Sequence, residues 1–341
     1  MNKLKKISKK NILLTGGAGY IGSTVAYDLI KHGHNVTIID NLSTGFKSLI
    51  PKKAYFYKTD IGNRSNLKKL FKFKKFDLVM HFAAFIKVGE SVKKPNKYYS
   101  NNYKKTKIFL DACFDQGLNK IIFSSTAAIY GNKSYKVKEN DKPSPKNPYA
   151  TSKLKCEKLI IKKFNQKKCK YVILRYFNVA GSPANLKTGL VAKKATHLIK
   201  KLCEFILGKE KNFFIYGNNY PTKDGTAIRD FIHVSDLSTL HILSMNYLLK
   251  DNQSQIFNCG YGKEYSVLEI VKAGLKRGKK NLKFKYGKKR QGDVGYAVAD
   301  NSKIKKFLAF RPKYNDINLI LKSALRWEKR IISRNFNKLT K

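Results

Sequence analysis

Thr15-Gly16-Gly17-Ala18-Gly19-Tyr20-Ile21-Gly22 closes an apolar run that begins at Asn11 and opens an amphipathic stretch, and its reading decides the fold. Glycine at 16, 19 and 22 permits a tight turn, a close backbone approach to a pyrophosphate, and close packing of helix on strand. The N–H groups around Tyr20, Ile21 and Gly22 then face the phosphates, reinforced by the positive end of the helix. A glycine cluster alone is weak evidence. Its place between a strand and a helix makes this one a predicted nucleotide cradle.

Working outward, short apolar runs alternate with longer amphipathic stretches: Asn11 to Thr15, Asn35 to Asp40, Tyr55 to Asp60, Leu78 to Ala84, Lys120 to Ser125 and Tyr171 to Asn178. Six buried strands with helices between them predict an α/β fold with a doubly wound parallel sheet of the Rossmann type. After about residue 178 the alternation weakens, and loops from Gly181 to Gly189 and Tyr216 to Gly225 mark a smaller C-terminal substrate lobe. A strand-like piece, Ile228 to Val234, then a helical stretch to Leu249 and the run Ile256 to Cys259 return to the sheet. The predicted organisation is therefore 1–178 with 228–260 as the nucleotide-binding domain, and 179–227 with 261–341 as the second lobe.

In such sheets ligands bind beyond the carboxyl ends of the strands, so polar residues there are the candidates. Strand two ends in Asp40-Asn41, 18 residues past Gly22. A carboxylate at that interval meets the adenosine ribose hydroxyls and repels a 2′-phosphate, which favours NAD over NADP. Asp60-Ile61, closing strand three, is placed to meet the adenine edge; a helix-capping aspartate is the equal alternative.

Tyr149 and Lys153 stand four apart after the Pro143 to Pro148 loop, on one face of a predicted helix. An ammonium beside a phenol favours phenolate and makes a base of a weak acid. The spacing itself is common here, because Tyr27/Lys31 and Tyr103/Lys107 share it. Only the pair at 149 and 153 follows a strand ending in hydroxyls, Ser124-Ser125-Thr126, closely enough for strand end and helix start to converge.

These features together resemble the extended short-chain dehydrogenase/reductase family. Within it, His81-Phe82-Ala83-Ala84, Val88-Gly89-Glu90-Ser91, Tyr176-Phe177-Asn178, Tyr220-Pro221-Thr222-Lys223-Asp224-Gly225-Thr226, Arg229 to Val234 and Arg290-Gln291-Gly292-Asp293 resemble the UDP-glucose 4-epimerases, over about residues 11 to 330. The resemblance implies NAD-dependent 4-epimerisation of UDP-glucose and UDP-galactose through a transient 4-keto sugar. It implies Tyr149 as base at the sugar O4, Lys153 as its modulator and nicotinamide-ribose ligand, and Thr126 as a hydroxyl relay. Phe82, Ala83, Ala84, Asn101, Ser124 and Phe177 are implied cofactor contacts. Asn178, His197, Leu198, Tyr216, Arg229, Arg290 and Asp293 are implied to hold the UDP part, where arginine suits bidentate phosphate contacts.

Ala297 falls where relatives that exclude N-acetyl sugars carry bulk, so UDP-GlcNAc and UDP-GalNAc are expected as further substrates. The competing reading is another nucleotide-sugar epimerase or a 4,6-dehydratase of the same fold. A dehydratase needs an acid and a base beside the relay hydroxyl, where this chain has Ala127-Ala128. The lysine at 87 is offset by one from the nicotinamide-side lysine of some relatives and receives no role. A homodimer through helices near 95–116 and 149–166 is implied.

The 71 Lys+Arg residues against 22 Asp+Glu give a formal net charge of +49, and all but nine of the bases are lysine. They are spread along the chain in short runs such as Lys3 to Lys10, without an Arg-rich tract or a nucleic-acid motif, which favours a solvated surface over a specific nucleic-acid partner. Five scattered cysteines lack a zinc or redox spacing, so no metal is expected and a reducing cytoplasm fits best. No apolar run approaches the ~20 residues of a membrane span.

Overall fold

Strand β1 (Asn11–Thr15) is buried from its second residue onward, as a strand covered on both faces must be. Its side chains alternate: Ile12 and Leu14 enter one core, Leu13 the other. The computed structural model describes residues 8–192, 195–278 and 282–333. Most of the Lys3 to Lys10 run lies outside them.

Six further strands complete the sheet: β2 (Asn35–Asp40), β3 (Tyr55–Lys58), β4 (Leu78–His81), β5 (Lys120–Thr126), β6 (Lys170–Tyr176) and β7 (Gln255–Cys259). All pair in parallel in the order β7-β6-β5-β4-β1-β2-β3. The chain order reverses between β1 and β4, and this opens a crevice beyond their carboxyl ends. Helix α1 (Tyr20–Lys31) follows β1, and α2 (Pro148–Gln166) connects β5 to β6. Leu67, Phe71, Phe109 and Ile160 cover one face of the sheet; Val25, Leu29, Leu237 and Met245 cover the other.

Several predicted strands are shorter than their apolar runs. Strand β4 stops at His81: Phe82 N–H makes the last ladder bond, to Thr15 O at 3.0 Å, and Phe82 to Ala84 then line the groove at the strand ends. The run predicted from Tyr171 to Asn178 divides at Phe177, whose N–H donates to Cys259 O at 3.1 Å. Asn178–Ala180 then pairs with Phe231–His233 in a separate two-stranded ribbon. The run from Ile228 to Val234 divides at Asp230, a fully buried carboxylate that accepts from the N–H groups of Tyr261, Gly262 and Ala299.

Beyond the sheet, α3 (Leu198–Ile206) packs against α5 (Ile317–Ser333), while α4 (Val234–Leu249) packs on α1 and leads to β7. Lys200 of α3 donates to Glu328 of α5 at 2.5 Å. Among the described residues no helix is long and apolar enough to cross a membrane, and no cluster of three metal-ligating side chains occurs. All five cysteines are free thiols.

Candidate active site

The strand ends open into one continuous groove of about 1090 Å³, lined by residues of both parts of the chain. Its floor at β1 is backbone. Gly16 has φ 73°, in the left-handed region, and a Cβ there would stand 2.6 Å from Ala83 N. A Cβ on Gly22 would stand 2.4 Å from Gly16 O. Gly19 precedes the first turn of α1, whose N–H groups have no partner within the helix. Gly16, Gly19, Tyr20, Ile21 and Gly22 all line the groove, so the cradle fits a pyrophosphate in shape and in polarity. The Tyr20 hydroxyl also donates to Gly181 O at 2.6 Å and ties the cradle to the loop after Asn178–Ala180.

At one end, Asp40 closes β2 with its carboxylate accepting from Ala18 N–H at 3.0 Å and Leu42 N–H at 2.8 Å. Burial raises its carboxyl above the ordinary value against those two hydrogen bonds. Asp60 accepts from Lys105 Nζ at 2.6 Å, Asn41 Nδ2 at 2.8 Å and Gly62 N–H at 2.8 Å. Burial pushes this carboxyl upward, but those donors together hold it below the ordinary value. The next helix is capped by Asn63, so Asp60 is not its cap. Asn41, Ile61, Phe82, Ala83, Ala84, Asn101, Ser124 and Phe177 line the same groove.

Midway along, Asn147 caps α2 by accepting from Ala150 N–H at 2.9 Å, with Pro148 at the first helical position. That cap fixes where Tyr149 starts the helix. Thr126, the last residue of β5, lies beside the Tyr149 phenol and acts to lower its pKa. Lys153, one turn further and buried, places its ammonium 4.6 Å over the Phe123 ring. Tyr149, Lys153 and Thr126 thus line one stretch of groove, while Tyr27 and Tyr103 lie outside it.

The expected downward tuning of the phenol is corrected here. Burial holds Tyr149 above its ordinary value, and the Thr126 hydroxyl only partly opposes this. Burial also draws Lys153 down to about 8.

Toward the second lobe, Asn178, His197, Arg229, Asp293 and Ala297 line the groove. Arg229 is held by its own donors to Ile228 O at 2.9 Å and Val294 O at 2.6 Å. Three predicted residues do not join them. Leu198, the first residue of α3, faces a small adjoining cavity of about 80 Å³ behind the groove. Arg290 stacks its guanidinium 4.0 Å over the ring of Tyr216 and donates to Thr196 O at the groove's edge at 3.5 Å, while neither side chain lines the groove itself. A cation over an exposed aromatic face accounts for that pairing.

Lys87, given no role on the sequence, lines the groove, as do Lys146 and Asn147, which were not proposed as site residues. In a chain with 62 lysines no sequence signal separates Lys146 from the rest; the Asn-Pro start of α2 was a usable signal for Asn147. The carboxylates in the groove are Asp40, Asp60, Glu90 and Asp293, among the described residues. None follows Thr126, and Glu90 is engaged by Lys97 at 2.8 Å and Tyr98 at 2.9 Å.

Residues 12–260 match the NAD dependent epimerase/dehydratase family. The chain belongs to this family. A UDP-glucose 4-epimerase of Azospirillum brasilense is 40% identical over 319 residues, 93% of this chain and 92% of the relative. Among solved structures, UDP-glucose 4-epimerase from Bifidobacterium longum in complex with NAD+ and UDP superposes with a TM-score of 0.88 at 32% identity, covering 94% of this chain and 98% of that one. The UDP-Glc/GlcNAc 4-epimerase from Campylobacter jejuni gives 0.80 at 42% identity, over 94% and 99%.

In this family member the Thr126–Tyr149 contact makes a testable unit. Thr126→Ala is expected to lower kcat by about 10- to 100-fold, the lower range of a proton-transfer contribution, while Thr126→Ser retains most activity. Equal kcat for alanine and serine in steady-state assays would remove the relay role.

Proposed function

We propose that the chain is an NAD-dependent UDP-glucose 4-epimerase, interconverting UDP-glucose and UDP-galactose through a transient 4-keto sugar. The observation that carries this is Tyr149, with Thr126 and Lys153 beside it, opening onto the same groove as the glycine cradle at β1. Gly16, Gly19, Tyr20, Ile21 and Gly22 would hold the pyrophosphate of NAD, Asp40 the adenosine ribose, and Asp60 with Ile61 the adenine side. When bound, NAD supplies a nicotinamide that accepts and returns a hydride. Tyr149 removes the O4 proton as the keto sugar forms and gives it back after the sugar turns over. Thr126 passes or orders that proton, and Lys153 binds the nicotinamide ribose.

Because the sugar must rotate, binding energy comes mainly from UDP, through Asn178, Arg229 and Asp293. In this reading residues 1–178 with 228–260 carry the dinucleotide, and 179–227 with 261–341 carry the nucleotide sugar. The pairing of β7 with β6 supports that discontinuous division. We further propose a homodimer through 95–116 and 149–166. A cytoplasmic site is supported by five free thiols.

A 4,6-dehydratase is disfavoured by Ala127 and Ala128 at the place its acid and base would take. Purified protein incubated with UDP-galactose should yield UDP-glucose, identified by chromatography. A 4-keto-6-deoxy product would replace this reading with the dehydratase.

Acceptance of N-acetylated sugars rests on the small side chain of Ala297, which lines the groove beside Arg229. Ala297→Tyr is expected to reduce UDP-GalNAc turnover relative to UDP-galactose by at least about tenfold, the scale of a steric exclusion in a pocket. An unchanged ratio in parallel assays would show that position 297 does not set the choice.

A further inference from the structure

Directly beneath Tyr149 and Lys153 lies a buried polar network that the proposed reaction does not use. Glu157, one turn beyond Lys153 on α2, is 1% exposed, and Arg175 of β6 is 4% exposed. The guanidinium grips the carboxylate in a fork, Nη2 to Oε2 at 2.8 Å and Nε to Oε1 at 3.1 Å. Ser125, between the groove residues Ser124 and Thr126, donates to the same carboxylate. Arg175 also donates to the Tyr130 hydroxyl at 2.7 Å and to Glu139 O at 2.9 Å, and Tyr130 donates to Asn258 of β7 at 2.7 Å. Ser125 and Arg175 are register partners across β5 and β6. One carboxylate therefore joins the helix turn that carries Lys153 to the ends of both strands that frame the reacting groups.

A buried ion pair is weak evidence for stability alone, since an apolar pair of similar volume often does as well. Its position is more telling. Three titratable neighbours act on Lys153 or feel its charge: Cys156 and Glu157 on its own helix, and His81 of β4. Burial drives Cys156 up to about 12 and His81 down to about 3, so both are neutral at working pH. Phe123, under the ammonium, brings only its ring. Glu157 is left as the counter-charge.

Resting on the functional reading above, we infer that Glu157 is a positioning residue: clamped by Arg175 and Ser125, it fixes the Lys153 turn of α2 and sustains the ammonium there. It touches neither substrate nor cofactor. Removing its charge leaves Arg175 as an uncompensated cation nearby, which disfavours the charged form of Lys153.

The test is kcat for UDP-galactose as a function of pH, with NAD content and melting temperature recorded for each protein. Glu157→Gln is expected to move the alkaline limb to lower pH by about one unit, as loss of a close opposite charge does. Glu157→Asp returns it toward wild type. Arg175→Gln, which frees the carboxylate, moves the limb to higher pH and serves as the independent arm if Glu157→Gln does not fold. A limb unmoved in a folded Glu157→Gln or Arg175→Gln protein would overturn the inference, whatever the change in melting temperature. Wild-type protein without turnover would instead overturn the epimerase reading.

Discussion

Tyr149→Phe is expected to lower kcat for UDP-galactose about a thousandfold, with NAD content and melting temperature close to wild type. General acid–base groups contribute roughly 10²- to 10⁴-fold, and Tyr149, in the first turn of α2, lines the groove beside Thr126. Phenylalanine keeps the ring, so the helix start set by Asn147 and Pro148 is retained. The check is steady-state turnover beside cofactor content of the same preparation. Full activity in the phenylalanine protein would transfer the proton to another group and remove Tyr149 from the mechanism.

Gly22→Ala is expected to act on the cofactor instead. Its Cβ would meet Gly16 O at 2.4 Å and Gly17 Cα at 3.0 Å, all backbone that has no rotamer to yield. Helix α1 must then move off β1, and the cradle opens. Forcing extra volume into a packed site costs about 1–3 kcal/mol, and here the shift also misplaces the N–H groups that face the phosphates. The purified variant is expected to lose most of its bound NAD and to unfold at lower urea. Gly89→Ala is the control, because a Cβ there meets nothing within 4 Å and φ is not in the left-handed region. Equal NAD content in the two variants would contradict the assignment of the β1 turn as the cofactor cradle.

The glycine turn and the succession of strands and helices were legible because the turn needs glycine and because strands buried on both faces read as continuous apolar runs between amphipathic stretches. The site at β5 and α2 was legible for a related reason: a strand end rich in hydroxyls and an Asn-Pro helix start both have local signatures. What the sequence hid depended on burial. The spacing of Tyr149 and Lys153 suggested a phenol tuned downward, but desolvation of both side chains dominates once α2 is packed on β5.

Chain direction after the strands was equally hidden. Nothing in Leu78 to Ala84 marks His81 as the last paired residue, because Phe82 and Ala83 remain apolar while serving the groove. Arg290 and Tyr216 carry the residue types of a phosphate and base site; here they pack on one another at its margin, with Arg290 also donating to the groove residue Thr196. Glu157 looked like any helical acid four residues from a lysine, and only the fold brings Arg175 and Ser125 onto it. Abundant lysine masked Lys146 in the same way.

The most direct measurement follows the hydrogen on C4. UDP-galactose carrying deuterium at C4, incubated in ordinary water with the purified chain, should give UDP-glucose with the deuterium still at C4, because the hydride leaves for a bound nicotinamide and returns to the opposite face. UDP-glucose whose C4 hydrogen has come from solvent would contradict the account, and so would a chain that leaves UDP-galactose unchanged.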